Sequence, residues 1–134
     1  MTLVDSNIVI DVLTQDPSWL VWSIEALDAR ALRGPLYVNE IIYAEIAVKI
    51  EDRAELDSAL ETIGVVLLRS PEDALHLAGR IFGHYRRSGG IRTGVLPDFF
   101  IGAHAQIARL PILTRDTRRY RTYFPKVALI APED

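Results

Sequence analysis

Four acidic residues stand where an acid contributes little to folding. Asp5 follows the apolar run TLV. Glu45 lies within EIIYAEIAVKI, with Ile41, Ile42 and Ile46 around it. Asp98 follows Pro97 at the mouth of a small-residue helix, and Asp116 follows ILT among Arg115, Arg118, Arg119 and Arg121. Each has an ordinary explanation. An Asp at a helix start caps it, an acid in an amphipathic helix faces water, and Asp116 can pair with Arg115 or Arg118. If the four converge, the chemistry is different. Carboxylates without cysteine or clustered histidine suit a hard cation such as Mg2+ or Mn2+. Such an ion neutralises phosphate charge and lowers the pKa of an attacking water.

The charge distribution points to the same substrate class. Residues 1–79 hold 14 acids and 5 bases, a balance of −9. Residues 80–132 hold 10 bases and 2 acids, a balance of +8, and those two acids are Asp98 and Asp116. Nine of the ten bases are arginine, whose planar fork suits bidentate phosphate contact. Arg86, Arg87, Arg92, Arg115 and Arg118 are the expected contacts to a nucleic-acid backbone. The ordinary alternative is a solvated, salt-bridged surface.

Positioning these residues falls to short elements that alternate along the chain. TLV, LYV, VVLL, PIL and VALI are brief and apolar at consecutive positions, as parallel strands buried on both faces require. Between them lie helical patterns: IVIDVL, SWLVWSIEALDARAL stopped by Gly34-Pro35, EIIYAEIAVKI after a cap at Asn39, and EDRAELDSALETI continuing it. A helix through ALHLAGRIFGHYRR is expected to start at Ser70 as cap with Pro71 at its first position. A Gly/Arg loop then leads to the helix DFFIGAHAQIARL. The pattern predicts a three-layer α/β domain with a mostly parallel, roughly five-stranded sheet. Asp5 and Asp116 then fall at the carboxyl ends of strands, where such sheets bind ligands.

The 134 residues fit one domain with one core. With no cysteine there is no disulfide framework and no thiolate site. The N-terminus MTLVDSNIVIDVL carries acids where a signal peptide needs bases, and no apolar run reaches membrane-spanning length. A cytosolic protein without membrane contact is expected. His76, His84 and His104 have no ligand spacing and read as structural. Trp19 and Trp22 lie three apart on a helix and read as core, with a protein interface as the alternative.

In these residues the sequence resembles the PIN-domain ribonucleases, and closely the toxin component of VapBC-type toxin–antitoxin pairs. The resemblance covers essentially the whole chain, 1–134. VDSNIVIDVL matches the family's opening strand and first acid, VNEIIYAEI the second, LPDFFIGAHA the third, and ILTRDTRRYRTYFPKVALI the ending with the fourth. It implies metal-dependent endoribonuclease activity with Asp5, Glu45, Asp98 and Asp116 as catalytic metal ligands. It also implies Ser6 and Asn7 supporting the first acid, a Thr114 hydroxyl near the metal, a homodimer, and inhibition by a small antitoxin. Two other readings compete. A receiver or phosphatase domain of similar architecture would want adjacent acids or Asp-x-Asp at the first strand; here the strand ends Asp5-Ser6-Asn7, and Lys126 precedes the last strand rather than following it. A non-catalytic RNA- or protein-binding module would not need four acids.

Overall fold

The computed structural model describes residues 1–92 and 94–133. Five short strands form one sheet: β1 (Thr2–Val4), β2 (Leu36–Val38), β3 (Val65–Leu67), β4 (Ile112–Leu113) and β5 (Leu129–Ile130). Their order is β3-β2-β1-β4-β5, and every neighbouring pair is parallel. The expectation of a mostly parallel α/β sheet is met in full. Leu3, Val4, Ile112 and Leu113 of the two central strands are wholly buried, which is why their sequences are apolar without alternation. Edge strand β3 differs, since Val66 and Leu67 are exposed.

Helices α1 (Ser6–Leu13), α2 (Leu20–Ala31), α3 (Glu40–Ala47), α4 (Arg53–Ile63), α5 (Glu72–Arg87), α6 (Leu96–Ala108) and α7 (Arg118–Tyr123) connect and cover the strands. The chain leaves β1 for β2 on one side and reaches β4 on the other. The strand order therefore reverses between β1 and β4, and a crevice forms outside their carboxyl ends. The ladder sets the register there: Val4 pairs with Leu113, and the Asp5 amide donates to the Leu113 carbonyl at 2.9 Å.

Three boundaries differ from the sequence expectation. The acid-rich segment is a separate helix, because the Asp52 side chain caps α4 by accepting from the Glu55 amide. Helix α5 is capped at Pro71 without a side-chain bond, while the Ser70 hydroxyl turns away to donate to Glu40. Helix α6 begins at Leu96, two residues before the expected start at Asp98, so Pro97 lies within its first turn. Helix α7 is an addition to the expected elements, formed by an arginine run that the sequence presents only as charge.

Helices α6 and α7 are locked by aromatic packing. Phe99 lies 5.0 Å from Tyr123 and 6.2 Å from Phe124, centroid to centroid. Gly102 permits the approach of Phe124, because a Cβ there would meet the ring at 2.3 Å. This close seating carries Arg119 and Tyr120 of α7 toward the start of α6 and the end of β1.

Candidate active site

Asp5 is the best-tethered acid. It caps α1, with Oδ1 accepting from the Ser6 amide at 2.8 Å. Oδ2 accepts from the Thr114 hydroxyl at 2.8 Å and the Tyr120 hydroxyl at 3.0 Å, with the Asn7 amide nitrogen farther off at 3.4 Å. Thr114 in turn accepts from the Asp116 backbone amide at 3.0 Å and from Asn7 Nδ2 at 3.1 Å. Asn7 Oδ1 takes the Arg115 amide at 3.0 Å. Ser6, Asn7 and Thr114 thus stitch the end of β1 to the end of β4 and orient Asp5 and Asp116 together.

The electrostatics tie Glu45 and Asp98 to the same place. Burial pushes the Asp5 carboxyl up to about 6, against the bonds from Thr114 and Tyr120, and the charge of Asp98 adds to the rise. Burial likewise pushes Glu45 up to about 7, aided by the charges of Asp5 and Asp98 and opposed by the Ser6 hydroxyl. Asp98 is raised by burial and by Asp116, while Arg119 opposes the shift. The Tyr120 phenol, buried beside Asp5 and Asp98, is held well above its ordinary value. Burial is the main cause in each case, and the neighbouring carboxylates add to it.

Two observations bear on whether a cation fits. Among the described residues, no three His, Asp or Glu side chains stand grouped as a finished set of metal ligands. Arg119 Nη1 lies 2.6 Å from Asp98 Oδ2, so part of that carboxylate is already engaged. Against this, Glu45 Oε1 is buried with no hydrogen-bond partner. A buried acceptor left unpaired is costly, and the charges of Asp5 and Asp98 act on the same carboxylate. The donors are all hard oxygens, the set that suits Mg2+ or Mn2+. In chemistry these donors fit a divalent ion, while Asp5, Glu45, Asp98 and Asp116 are not gathered as a ligand set among the described residues.

The arginines divide. Arg115 gives Nε and Nη2 to the buried Asp11, at 2.7 and 2.8 Å, and its guanidinium lies 4.9 Å from the Trp19 ring centroid. The Ser23 hydroxyl completes this group by donating to Asp11 at 2.8 Å. The expected phosphate contact at Arg115 is thus a structural tie between α1, α2 and the end of β4. It also gives Trp19 a place against that tie, with Trp22 edge-on to it at 6.2 Å. Arg86 and Arg87 are exposed on the last turn of α5. Arg92 and Arg118 line an open cleft beside Asp116. Asp116 pairs with neither Arg115 nor Arg118 among the described residues.

Sequence reading missed Tyr120, Asp11 and Arg119. The signal for Tyr120 was present: Tyr120, Tyr123 and Phe124 recur at helical spacing within the arginine run, the mark of a buried helix face. His104 is buried as expected of a structural histidine, with Nδ1 3.1 Å from Asn39 Nδ2 and 3.3 Å from Ser70 Oγ.

The PIN domain family model matches residues 2–125. No protein of curated function matches the chain. Among solved structures, VapBC2 from Rickettsia felis, bound to a DNA fragment from its promoter, superposes with a TM-score of 0.75 at 15% identity, covering 98% of each chain. A toxin–antitoxin complex from Klebsiella pneumoniae gives 0.70 at 21% identity, covering 100% of this chain and 99% of the other. FitAcB from Neisseria gonorrhoeae gives 0.65 at 20% identity, covering 97% and 96%. At such identities these likenesses speak for the fold, and the family match agrees with them over the same residues. The chain belongs to the PIN domain family.

Proposed function

We propose that this chain is a Mg2+- or Mn2+-dependent endoribonuclease acting as the toxin of a toxin–antitoxin pair in the cytoplasm. The observation that carries the nuclease reading is the unpartnered Glu45 Oε1, buried beside Asp5 and Asp98 at the crevice of the sheet. A bound divalent ion supplies a water of lowered pKa and positive charge for the phosphate. Asp5 and Asp116 fix one side of that site from β1 and β4, and Glu45 and Asp98 the other from α3 and α6. Thr114, Asn7 and Ser6 hold the orientation of Asp5. Arg86, Arg87, Arg92 and Arg118 bind the RNA backbone. The buried Tyr120 phenol keeps its proton and holds Asp5 in place.

The toxin–antitoxin complex among the structural relatives supports a small antitoxin as partner, and the working form proposed with it is a homodimer. The test is cleavage of a mixed RNA pool. The protein is expected to cut it in Mg2+ or Mn2+ and to stop on addition of EDTA. Cleavage that persists in EDTA, or its complete absence in folded protein with either ion, contradicts the reading.

A further inference from the structure

A cleft of about 570 Å3 opens beside Asp116, walled by Tyr85, Arg92, Arg118, Thr122 and Tyr123. We propose that this cleft seats one unpaired nucleotide of the RNA, next to the phosphate that the acids address. The inference rests on the nuclease reading and adds the residues that seat one nucleotide beside Asp116.

Charge selects the ligand first. Arg92 and Arg118 are exposed, and neither forms an ion pair among the described residues. Two guanidiniums facing one cleft call for an anion with several oxygens, and a phosphodiester provides it. Arg119 also lines the cleft, with Nη1 given to Asp98. Asp116 belongs both to the cleft wall and to the acid group, so a strand threading the cleft passes the acids.

The aromatic wall selects further. Tyr123 is half-buried and held rigid by Phe99 at 5.0 Å and by Tyr85, edge-on at 5.8 Å. A fixed ring beside arginines is the arrangement on which splayed-out bases stack. Thr122 donates its hydroxyl to the Arg118 carbonyl, which leaves its oxygen able to accept from a base N–H or a 2′-hydroxyl. The cleft volume lies in the range of about 300–1,000 Å3 that encloses a small organic ligand.

The loop bearing Arg92 is built onto Tyr85, which acts as a positioning residue. The Gly90 amide donates to the Tyr85 carbonyl at 2.9 Å, and the Arg92 amide donates to the Tyr85 hydroxyl at 3.3 Å. A Cβ at Gly90 would meet the Tyr85 ring at 2.5 Å, so glycine alone lets the loop lie flat on it. This clasp aims Arg92 toward the cleft.

The test is fluorescence anisotropy of a labelled six-nucleotide single-stranded RNA in Ca2+, beside the same sequence as a duplex, with Mn2+-dependent cleavage followed in parallel. The parent is expected to bind the single strand far more tightly than the duplex. Tyr123→Leu is expected to weaken single-strand binding about tenfold, Tyr123→Phe to bind like the parent, and Arg118→Ala to weaken it by a similar factor. Should Tyr123→Leu fail to fold, Arg118→Glu decides, because an exposed charge can be reversed without disturbing the core. A parent that ignores single strands, or single-strand binding untouched by both Arg118→Ala and Tyr123→Leu, overturns the cleft assignment. If RNA is still cut in that case, the nuclease reading survives. Binding that responds to the variants without any cleavage keeps the cleft and removes the nuclease.

Discussion

Asp5 accepts hydrogen bonds from Ser6, Thr114 and Tyr120, yet its carboxyl is pushed up to about 6. Hydrogen bonds to a carboxylate lower its pKa, so burial and like charge outweigh them here. Glu45, with fewer bonds, is pushed further, to about 7. Without a cation, the folded chain holds protons on these two groups that the unfolded chain has already released. Stability from them is full at low pH and falls as pH rises from about 4 to about 7. Glu45→Gln removes that loss. In chelator it is expected to melt higher than the parent at pH 8, by about 1–2 kcal/mol once the solvent reaching Glu45 is allowed for, and nearly with it at pH 4. Equal gains at both values would mean that the folded chain does not raise the Glu45 carboxyl. At Arg115 the expectation is the opposite. Its removal strands the buried Asp11 carboxylate, so Arg115→Ala should cost about 2–3 kcal/mol, somewhat below a fully buried pair. The salt slope of RNA binding should stay that of the parent; a reduced slope would put Arg115 on the phosphates after all.

Elements decide where these residues meet. Helix α7 brings Tyr120 to Asp5 and Arg119 to Asp98, and α7 is seated by Phe124 against Gly102. Gly102→Ala should overpack this contact at a cost of about 1–3 kcal/mol, against roughly 1 kcal/mol gained in helix propensity. A melting point at or above the parent would show that the helices slide apart without penalty. The strands are legible in the sequence because apolar residues at consecutive positions have one use in a short segment, burial on both faces. Asp5 and Asp116 are legible for the same reason, since a strand's carboxyl end fixes where the residues just beyond it stand. Tyr120 is legible only through its helical spacing with Tyr123 and Phe124, which the surrounding arginines mask, and Arg119 carries no local signal of its partner Asp98. Ser70 misleads because a serine before Pro-Glu satisfies capping rules locally, while Glu40 from a distant helix competes for its hydroxyl. The pair Asp11 and Arg115 lies 104 residues apart, beyond any local rule.

On the scale of the whole molecule, the acidic and basic parts of the chain meet at the crevice. Asp5 and Glu45 come from elements before α5 and the arginines from α5 onward, so the sheet order β3-β2-β1-β4-β5 is what brings them side by side. Expression of the chain alone should slow growth of a bacterial host, and co-expression of its antitoxin should restore it. Unimpeded growth with folded protein would remove the toxin role and leave the nuclease chemistry open to assay. Arg86→Ala, on the exposed end of α5, should lower the salt slope of single-strand RNA binding by about 0.7; an unchanged slope would turn that surface toward another partner.

The central claim is that Asp5, Glu45, Asp98 and Asp116 form one site for a divalent ion. Thermal melting with and without Mg2+ tests it on the parent and on Asp98→Asn, which keeps the shape and removes one charge. The parent should gain about 1.4 kcal/mol when free Mg2+ is about ten times its dissociation constant. Asp98→Asn should start from a higher melting point in chelator and gain much less from the ion. Equal gains in the two proteins, with no difference in chelator, would contradict the account.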